Sequence, residues 1–457
     1  MSPLTHWLKN GARRQPLLPA LVTPHAAWRY GELASLADRG GSFLRAQGLQ
    51  LGDVAAIAGH AHDLALAALA CSTAGAALLP LDPSAAAAAW PGLQALAGGR
   101  LKRFAPLPGT LPASDGRLVR RGAADDLALL IATSGSEGAP KAVMLTAANI
   151  AAAADASNSR LPLSAGDLWL GCLPLHHIGG ISILGRCLRA GATLLLHEGF
   201  VAASVWDDLH THRVSHISLV PAMLARLLDV GAGKRPPDSL RHALIGGAAL
   251  SQPLFERALA AGWPICPSWG MSESAAQAAT LVHPGGDWQP GQVGSLLPGL
   301  AARVAGDGRL HLRGAQVMAG YLNPAWARGW GLENGWLVTG DLGVLASDGQ
   351  VTILGRADDL LISGGVKVYP SEVESCLAGC PGVTDIAVTA VADPNWGDSL
   401  VALVVGPVEI AVVDDWSRQH LVSAKRPRRL LRVDGLPRNE LGKIDRQALR
   451  ALAAAAA

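Results

Sequence analysis

Residues 133–141 read Thr133-Ser134-Gly135-Ser136-Glu137-Gly138-Ala139-Pro140-Lys141. The stretch concentrates small hydroxyls, two glycines, a proline and a lysine. Before it, Leu127 to Ile131 is a continuous apolar run of the length of a buried strand. After it, Ala147 to Ala154 is rich in helix formers. The pattern predicts a strand, a polar loop ending in Lys141, then a helix. Backbone N–H groups of such a loop can surround phosphate oxygens, hydroxyls can donate to them, and the lysine adds a point charge. The glycines are too closely spaced, and Pro140 too near the lysine, for the Gly-x-x-x-x-Gly-Lys phosphate loop. Taken alone, the stretch reads equally well as a solvated turn. Its meaning depends on partners elsewhere in the chain.

At 457 residues the chain exceeds one ordinary core, and two or more domains are expected. A net charge of +2 gives no strong field toward nucleic acid. The basic cluster Lys425, Arg426, Arg428, Arg429 and Arg432 is local and reads as a solvated face near a domain edge. Hydrophobic residues make up 50% of the chain, much of it alanine. Leu64 to Leu81 is the candidate membrane span. At about 18 residues it is marginal, and it contains Ser72, Thr73 and Gly75. A buried helix over Leu64–Ala74 running into a buried strand over Ala76–Leu81 is expected instead. Met1 to Asn10 has no long apolar segment of the signal-peptide kind. The six cysteines lack a CxxC pair and are expected as buried free thiols of a cytoplasmic protein. His210, His212 and His216 fit no standard zinc spacing.

The middle of the chain alternates strand-like and helix-like segments. Strands are expected over Ala192–Leu196, His216–Val220 and Arg241–Ile245, and helices over Val205–His210, Ala222–Asp229 and Gln252–Ala261. Such alternation implies βαβ units and parallel sheet, with ligands at the carboxyl ends of the strands. Both the Thr133 loop and Gly246-Gly247 fall at such ends. After about Val293 the segments shorten and glycines multiply, which suggests antiparallel strands over Leu300–Val304, Leu310–Leu312 and Trp336–Thr339. A second module is expected from Ala357, with helices over Ser371–Ala378 and Val413–Leu421 and strands over Asp385–Val391 and Leu400–Val405. The alanine-rich tail from Leu452 is expected to fray.

Four further polar clusters follow the loop: Leu173-Pro174-Leu175-His176-His177-Ile178-Gly179-Gly180; Ser268-Trp269-Gly270-Met271-Ser272-Glu273-Ser274; Thr339-Gly340-Asp341 with Gly355-Arg356-Ala357-Asp358-Asp359; and Leu436-Pro437-Arg438-Asn439-Glu440-Leu441-Gly442-Lys443-Ile444. Singly, each has a bland reading: core histidines, a helix cap, an ordinary turn, a surface lysine. Together and in this order they make the chain resemble the adenylate-forming superfamily of acyl-CoA synthetases, adenylation domains and luciferases, over nearly its whole length.

The resemblance implies an α/β fold. A large N-terminal domain, 1–356, would hold mixed and parallel sheets flanked by helices plus a small barrel-like β region. A small mobile α+β C-terminal domain, 357–457, would carry the catalytic lysine. It implies ATP, Mg²⁺ and CoA, and a two-step reaction in which a small-molecule carboxylate attacks the α-phosphate of ATP and a thiol then displaces AMP. By the same resemblance Thr133, Ser134, Gly135, Ser136, Gly138 and Lys141 hold phosphates. Gly247, Ala248, Trp269, Gly270 and Met271 hold the AMP portion, Ser272 the α-phosphate and Asp341 the ribose. Arg356 lies near the hinge, Asp358 is the hinge, and Glu273 is the Mg²⁺ ligand. Lys443 stabilises charge in the transition state, with His177 and Glu273 beside it as catalytic positions. His177, Gly180, Leu219, Gly246 and Ser268 line the acyl pocket, and Gly364 and Gly365 the CoA tunnel.

Within the superfamily the details look most like the o-succinylbenzoate–CoA ligase subgroup of menaquinone biosynthesis. The alternative is a stand-alone adenylation enzyme that loads a separate carrier protein, since no carrier-serine motif follows Lys443. A nucleotide-binding protein without ligase activity is disfavoured by intact Lys443, Glu273 and Asp341. Membrane insertion and nucleic-acid partners are not expected, and a homodimer is the common state of such enzymes. Three positions depart from the pattern: Glu137 stands where Thr is usual, Ser272 replaces Thr, and Trp269 replaces Tyr. A carboxylate at Glu137 is expected to turn away from a triphosphate or pair with a cation.

Overall fold

The computed structural model describes residues 2–116, 126–134, 140–393, 396–438 and 442–455. Continuous apolar runs set its first sheet. Val54–Ala58, Ala77–Leu81 and Leu127–Ser134 lie side by side in parallel, with Leu101–Phe104 added at one edge. Leu127–Ser134 then pairs antiparallel with Pro140–Thr146, placing Thr133 opposite Lys141, and Gly320–Tyr321 closes that edge.

This corrects the expected order of strand, loop and helix, because a second strand stands between the loop and the helix. Ala142, Val143, Met144 and Leu145 are all buried. A run covered on both faces is at home in a sheet, so Lys141 sits on a hairpin stem and not at a helix start. The helix Ala147–Arg160 begins at Thr146, whose backbone N–H donates to Asn149 Oδ1 at 2.9 Å while Asn149 N–H donates to Thr146 Oγ1 at 3.2 Å. Its amino end is thus a full strand, about 20 Å, away from Pro140.

The second sheet, eight strands among the described residues, follows the predicted βαβ rhythm. Ile265–Met271, His242–Ile245, His216–Leu219, Leu168–Gly171, Thr193–Leu196 and Pro19–Val22 run parallel in that spatial order. Antiparallel strands Ala276–Thr280 and Ala27–Arg29 border it. The third sheet is antiparallel throughout, as the short glycine-punctuated segments predict. It is built from Gln292–Ser295, Gln350–Arg356, Trp336–Leu345, Arg309–Gly314 and Leu300–Val304, with Leu332–Glu333 alongside. Its register sets Asp341 opposite Arg356.

Beyond the turn Ala357–Asp359, a smaller sheet of Val366–Val368, Leu361–Ser363, Gly397–Val405, Asp385–Asp393 and Arg429–Arg432 carries the helices Pro370–Leu377 and Ile410–His420. The tail is helical over Arg446–Ala455 and not frayed as expected. Leu449 and Ala453, four apart and therefore on one helix face, are buried against Ala387, Val401 and Leu403.

Among the described residues, no helix is long and apolar enough to cross a membrane. The Leu64–Leu81 run resolves into the helix Ala61–Ala74 and the strand Ala77–Leu81. All six cysteines are free thiols, and all but Cys376 are buried. His210, His212 and His216 do not converge: His210 lies against the Trp206 ring, His212 near Asp208, and His216 between Trp169 and His242.

The tail helix makes a stability prediction. Leu449→Ala removes a fully buried side chain and is expected to cost about 2–5 kcal/mol. Denaturant unfolding of the full chain, followed in the small domain, measures it, and an unchanged midpoint would refute the packing.

Candidate active site

The site grows from the carboxyl edge of the parallel sheet. Gly246 follows the buried strand His242–Ile245 and donates its N–H to the Leu219 carbonyl at 3.1 Å. On the neighbouring strand, Ser268 Oγ donates to the Ile245 carbonyl at 3.0 Å. A Cβ on Gly246 would stand 2.7 Å from Ser268 Oγ, so the two strand ends meet only because position 246 has no side chain. Gly247 has φ +80°, and a Cβ built there would lie 3.5 Å from Lys443 Cε. Lys443, from far along the chain, therefore reaches across to this edge.

Trp269 is buried, and its indole N–H donates to Asp341 Oδ2 at 2.9 Å. The Arg356 guanidinium stands 3.4 Å from Asp341 Oδ1 and 3.4 Å from Asp358 Oδ2. The Asp341 backbone N–H is held by Thr339 Oγ1 at 3.1 Å. The carboxylate expected to serve the ribose is shared between an indole and a guanidinium, with lone pairs remaining on each oxygen.

A bulge between Trp269 and Gly270 bends the strand. It leads to Ala275 and Ala276, non-glycine residues at φ +52° and +97°. Strain of this kind, of order 1–3 kcal/mol each, persists where the surroundings hold it. Between them, Ser272–Ser274 forms a single 3₁₀ turn that presents Ser272 and Glu273. Glu273 accepts from the Tyr321 hydroxyl at 2.6 Å. Burial, and then the Glu273 charge, push the Tyr321 phenol up, so it stays a donor. A carboxylate oriented in this way suits Mg²⁺, a hard cation that takes one or two carboxylates with phosphate oxygens and water.

His177 precedes the helix Ile178–Ala190, with its ring 4.3 Å from that of His176. Burial, then the His176 and Lys443 charges, lower it to about 4, against the opposing pull of Asp82. It is a neutral imidazole at neutral pH. A Cβ on Gly180 would lie 2.7 Å from the Leu173 carbonyl oxygen, so this helix start tolerates only glycine. Lys443 is itself lowered, by burial first and by Arg356 second, with Asp341 opposing.

The structure thus brings Gly246, Gly247, Trp269, Asp341, Arg356, His177 and Lys443 to one place. Gly270, Met271, Ser272 and Glu273 continue the same strand and turn. Ala248 is exposed in the loop after Gly247, and the Leu219 side chain is buried in the core beneath. Gly364 and Gly365 form an exposed turn of the small domain, where a side chain at Gly365 would meet open space. Thr133 and Lys141 face each other at the hairpin stem. Gly135, Ser136, Glu137 and Gly138 lie outside the described residues, as does the Ser134 side chain. Sequence reasoning missed Tyr321 and Asp82. Tyr321 is one of three tyrosines, but nothing local links it to Glu273, 48 residues away.

A carboxylate shared by an indole and a guanidinium, an acidic residue oriented by a tyrosine, and a lysine reaching in from the C-terminal segment suit the chemistry of an adenylate-forming ligase. The chain belongs to the AMP-binding enzyme family: residues 8–91 and 94–322 match its main domain, and residues 372–443 match the AMP-binding enzyme C-terminal domain. Among its relatives, the 2-succinylbenzoate–CoA ligase of Bacillus subtilis is 36% identical over 337 residues, covering 71% of this chain and 69% of that protein. The o-succinylbenzoate CoA synthetase MenE of Bacillus subtilis, in complex with the acyl-adenylate intermediate OSB-AMP, superposes with a TM-score of 0.85 at 30% identity over 97% of each chain. A double mutant of that enzyme bound with its product analogue OSB-NCoA superposes at 0.69 over the same 97%. This chain is therefore arranged more like the adenylate-bound relative.

The buried His177 has a pH consequence. Its value of about 4 lies below the ordinary 6.5, so the unfolded chain takes up the proton first as pH falls. Its stabilisation is fully present above about 6.5 and is lost toward about 4. His177→Asn is expected to flatten the acid limb of a stability–pH profile. An imidazole NMR signal of His177 titrating near its ordinary value would show this burial to be wrong.

Proposed function

We propose that this protein is an ATP-dependent carboxylate–CoA ligase that acts on an aryl carboxylate, with 2-succinylbenzoate as the preferred acid. The observation that carries the proposal is the meeting of Lys443 with Asp341, Arg356 and Gly247 at the carboxyl edge of the parallel sheet. It is supported by the similarity to 2-succinylbenzoate–CoA ligases.

In the first half-reaction the acid's carboxylate oxygen attacks the α-phosphorus in line, and the bond to pyrophosphate breaks. Such a step needs positioning and charge neutralisation more than covalent chemistry. Lys443 neutralises charge developing between the carboxylate and the α-phosphate. Trp269 and Asp341 orient the nucleoside, and Asp341 accepts from ribose hydroxyls. Ser272 donates to the α-phosphate, and the hydroxyls and Lys141 of the Thr133 hairpin hold the outgoing phosphates. Glu273, oriented by Tyr321, would hold Mg²⁺, which supplies charge neutralisation on the phosphate oxygens. His177, neutral, hydrogen-bonds the acyl portion beside Gly180, Gly246 and Ser268, over the floor that Leu219 backs.

In the second half-reaction the CoA thiolate attacks the acyl carbon and AMP leaves. Lys443 occupies the space needed, so the small domain turns about Asp358, and the Gly364-Gly365 turn comes in to line the thiol's path. The domain boundary at 356/357 is the natural axis. The difference between the overlaps with adenylate-bound and product-analogue-bound relatives supports this turn. A cytoplasmic setting fits the free cysteines, and a homodimer is the expected assembly.

The test is a panel of aryl and acyl carboxylates with ATP and Mg²⁺, followed by pyrophosphate release, with CoA or a carrier protein as acceptor. A thioester formed only on a carrier protein would replace CoA as acceptor, and turnover confined to other acids would overturn the substrate. Lys443→Ala is expected to slow adenylate formation on the order of 100-fold or more. The same variant should convert supplied acyl-adenylate and CoA to thioester within a few-fold of normal. Equal loss in both half-reactions would contradict the turn about Asp358. Asp341→Ala is expected to raise the KM for ATP about tenfold or more, the worth of a charge-assisted hydrogen bond.

A further inference from the structure

The opposite, amino edge of the eight-stranded sheet carries a group that the ligase chemistry does not use. His242 opens its strand, Cys266 lies beside Leu244 on the next strand, and His283 follows the bordering strand Ala276–Thr280. His242 Nδ1 and His283 Nε2 are 3.1 Å apart, and Cys266 Sγ is 3.8 Å from His242 Nδ1. All three donor atoms lie within 4.8 Å of one another. A tetrahedral ion with ordinary Zn–N and Zn–S bonds sets two nitrogens about 3.3 Å apart and a nitrogen and sulfur about 3.6 Å apart. The observed spacings bracket those values.

Two further observations bear on this cluster. The His242 ring is held between the rings of His216 and His283, at 4.9 and 5.0 Å. His283 has φ +47°, a left-handed backbone that a non-glycine residue rarely adopts, and this turns its ring onto the cluster.

We propose that His242, Cys266 and His283 form a site for a thiophilic transition-metal ion of the Zn²⁺ class, with Nδ1, Sγ and Nε2 as ligands and the fourth position open to solvent beside exposed His283. On binding, the Cys266 S–H bond breaks, its proton passes to water and a sulfur–metal bond forms. His283 Nε2, which now stands 2.8 Å from the Arg241 carbonyl, gives up that hydrogen bond and shifts its proton to Nδ1. No oxidation change is involved. The ion would clip together two strands whose far ends carry Gly246 and Ser268, so its effect is on the stability of the large domain. The site is independent of the ligase reading.

The experiment uses chelator-treated full-length protein titrated with Co²⁺. Tetrahedral ligand-field absorption and a thiolate-to-cobalt charge-transfer band are expected to saturate at one ion per chain. Cys266→Ser should abolish the charge-transfer band, and His283→Ala should weaken binding at least tenfold. Zn²⁺ should displace Co²⁺ and raise the thermal midpoint of the wild type but not of His283→Ala. Because His283 is exposed, His283→Ala leaves the core intact and decides the matter even where Cys266→Ser folds poorly. Bands that are absent, or identical in His283→Ala and wild type, overturn the proposal, as does an unmoved midpoint with Zn²⁺.

Discussion

Lys443 and Arg356 both bear on the Asp341 carboxylate in a partly desolvated space, and Asp358 and Asp359 act on Arg356 as well. Burial and then the Arg356 charge lower Lys443, whereas the aspartates hold Arg356 charged against its own burial. In the proposed reaction a nucleotide phosphate would meet the electrostatic need of the partly desolvated Lys443 ammonium. The lysine arrives on a segment whose own support lies elsewhere, in the pairing of Arg446 with Glu374 at 2.7 Å and of Arg450 with Asp359 at 3.2 Å.

The large domain meets this need with a rigid edge. Parallel strands end together, and their loops carry the polar groups. Gly246 and Gly180 allow close approach where any side chain would collide, while Ala275 and Ala276 hold strained backbone that turns Glu273 toward Tyr321. The antiparallel sheet supplies Asp341 and Arg356 as direct cross-strand neighbours. Strands of the second and third sheets, with Tyr321 from the first, thus converge on one region.

Much of this was legible beforehand. Alternating strand and helix segments located the parallel strands Thr193–Leu196, His216–Leu219 and His242–Ile245 to within a residue, because fully buried strands read as apolar runs. The hairpin after the Thr133 loop was not legible: Ala142 to Leu145 lacks the β-branched enrichment that separates a strand from a helix start, and only the partner strand decides between them. The tail was misread for a related reason. Alanine is silent about packing, and the partners that bury Leu449 come from distant strands. Tyr321 and Asp82 escaped because pairing across a site has no local signature.

By itself, the sequence determined the chemistry on offer: a hydroxyl-rich loop, one acidic residue after a buried strand, an aspartate–arginine pair, and a lysine near the end. These follow from residue type and order, which are local properties. The tertiary structure decided which of them meet, that Trp269 shares Asp341 with Arg356, that His177 stays neutral, and that Lys443 lies over Gly247. It also decided that His242, Cys266 and His283 stand together, though no spacing announces them. Burial and approach across sheets depend on every strand at once, and no short stretch of chain encodes them.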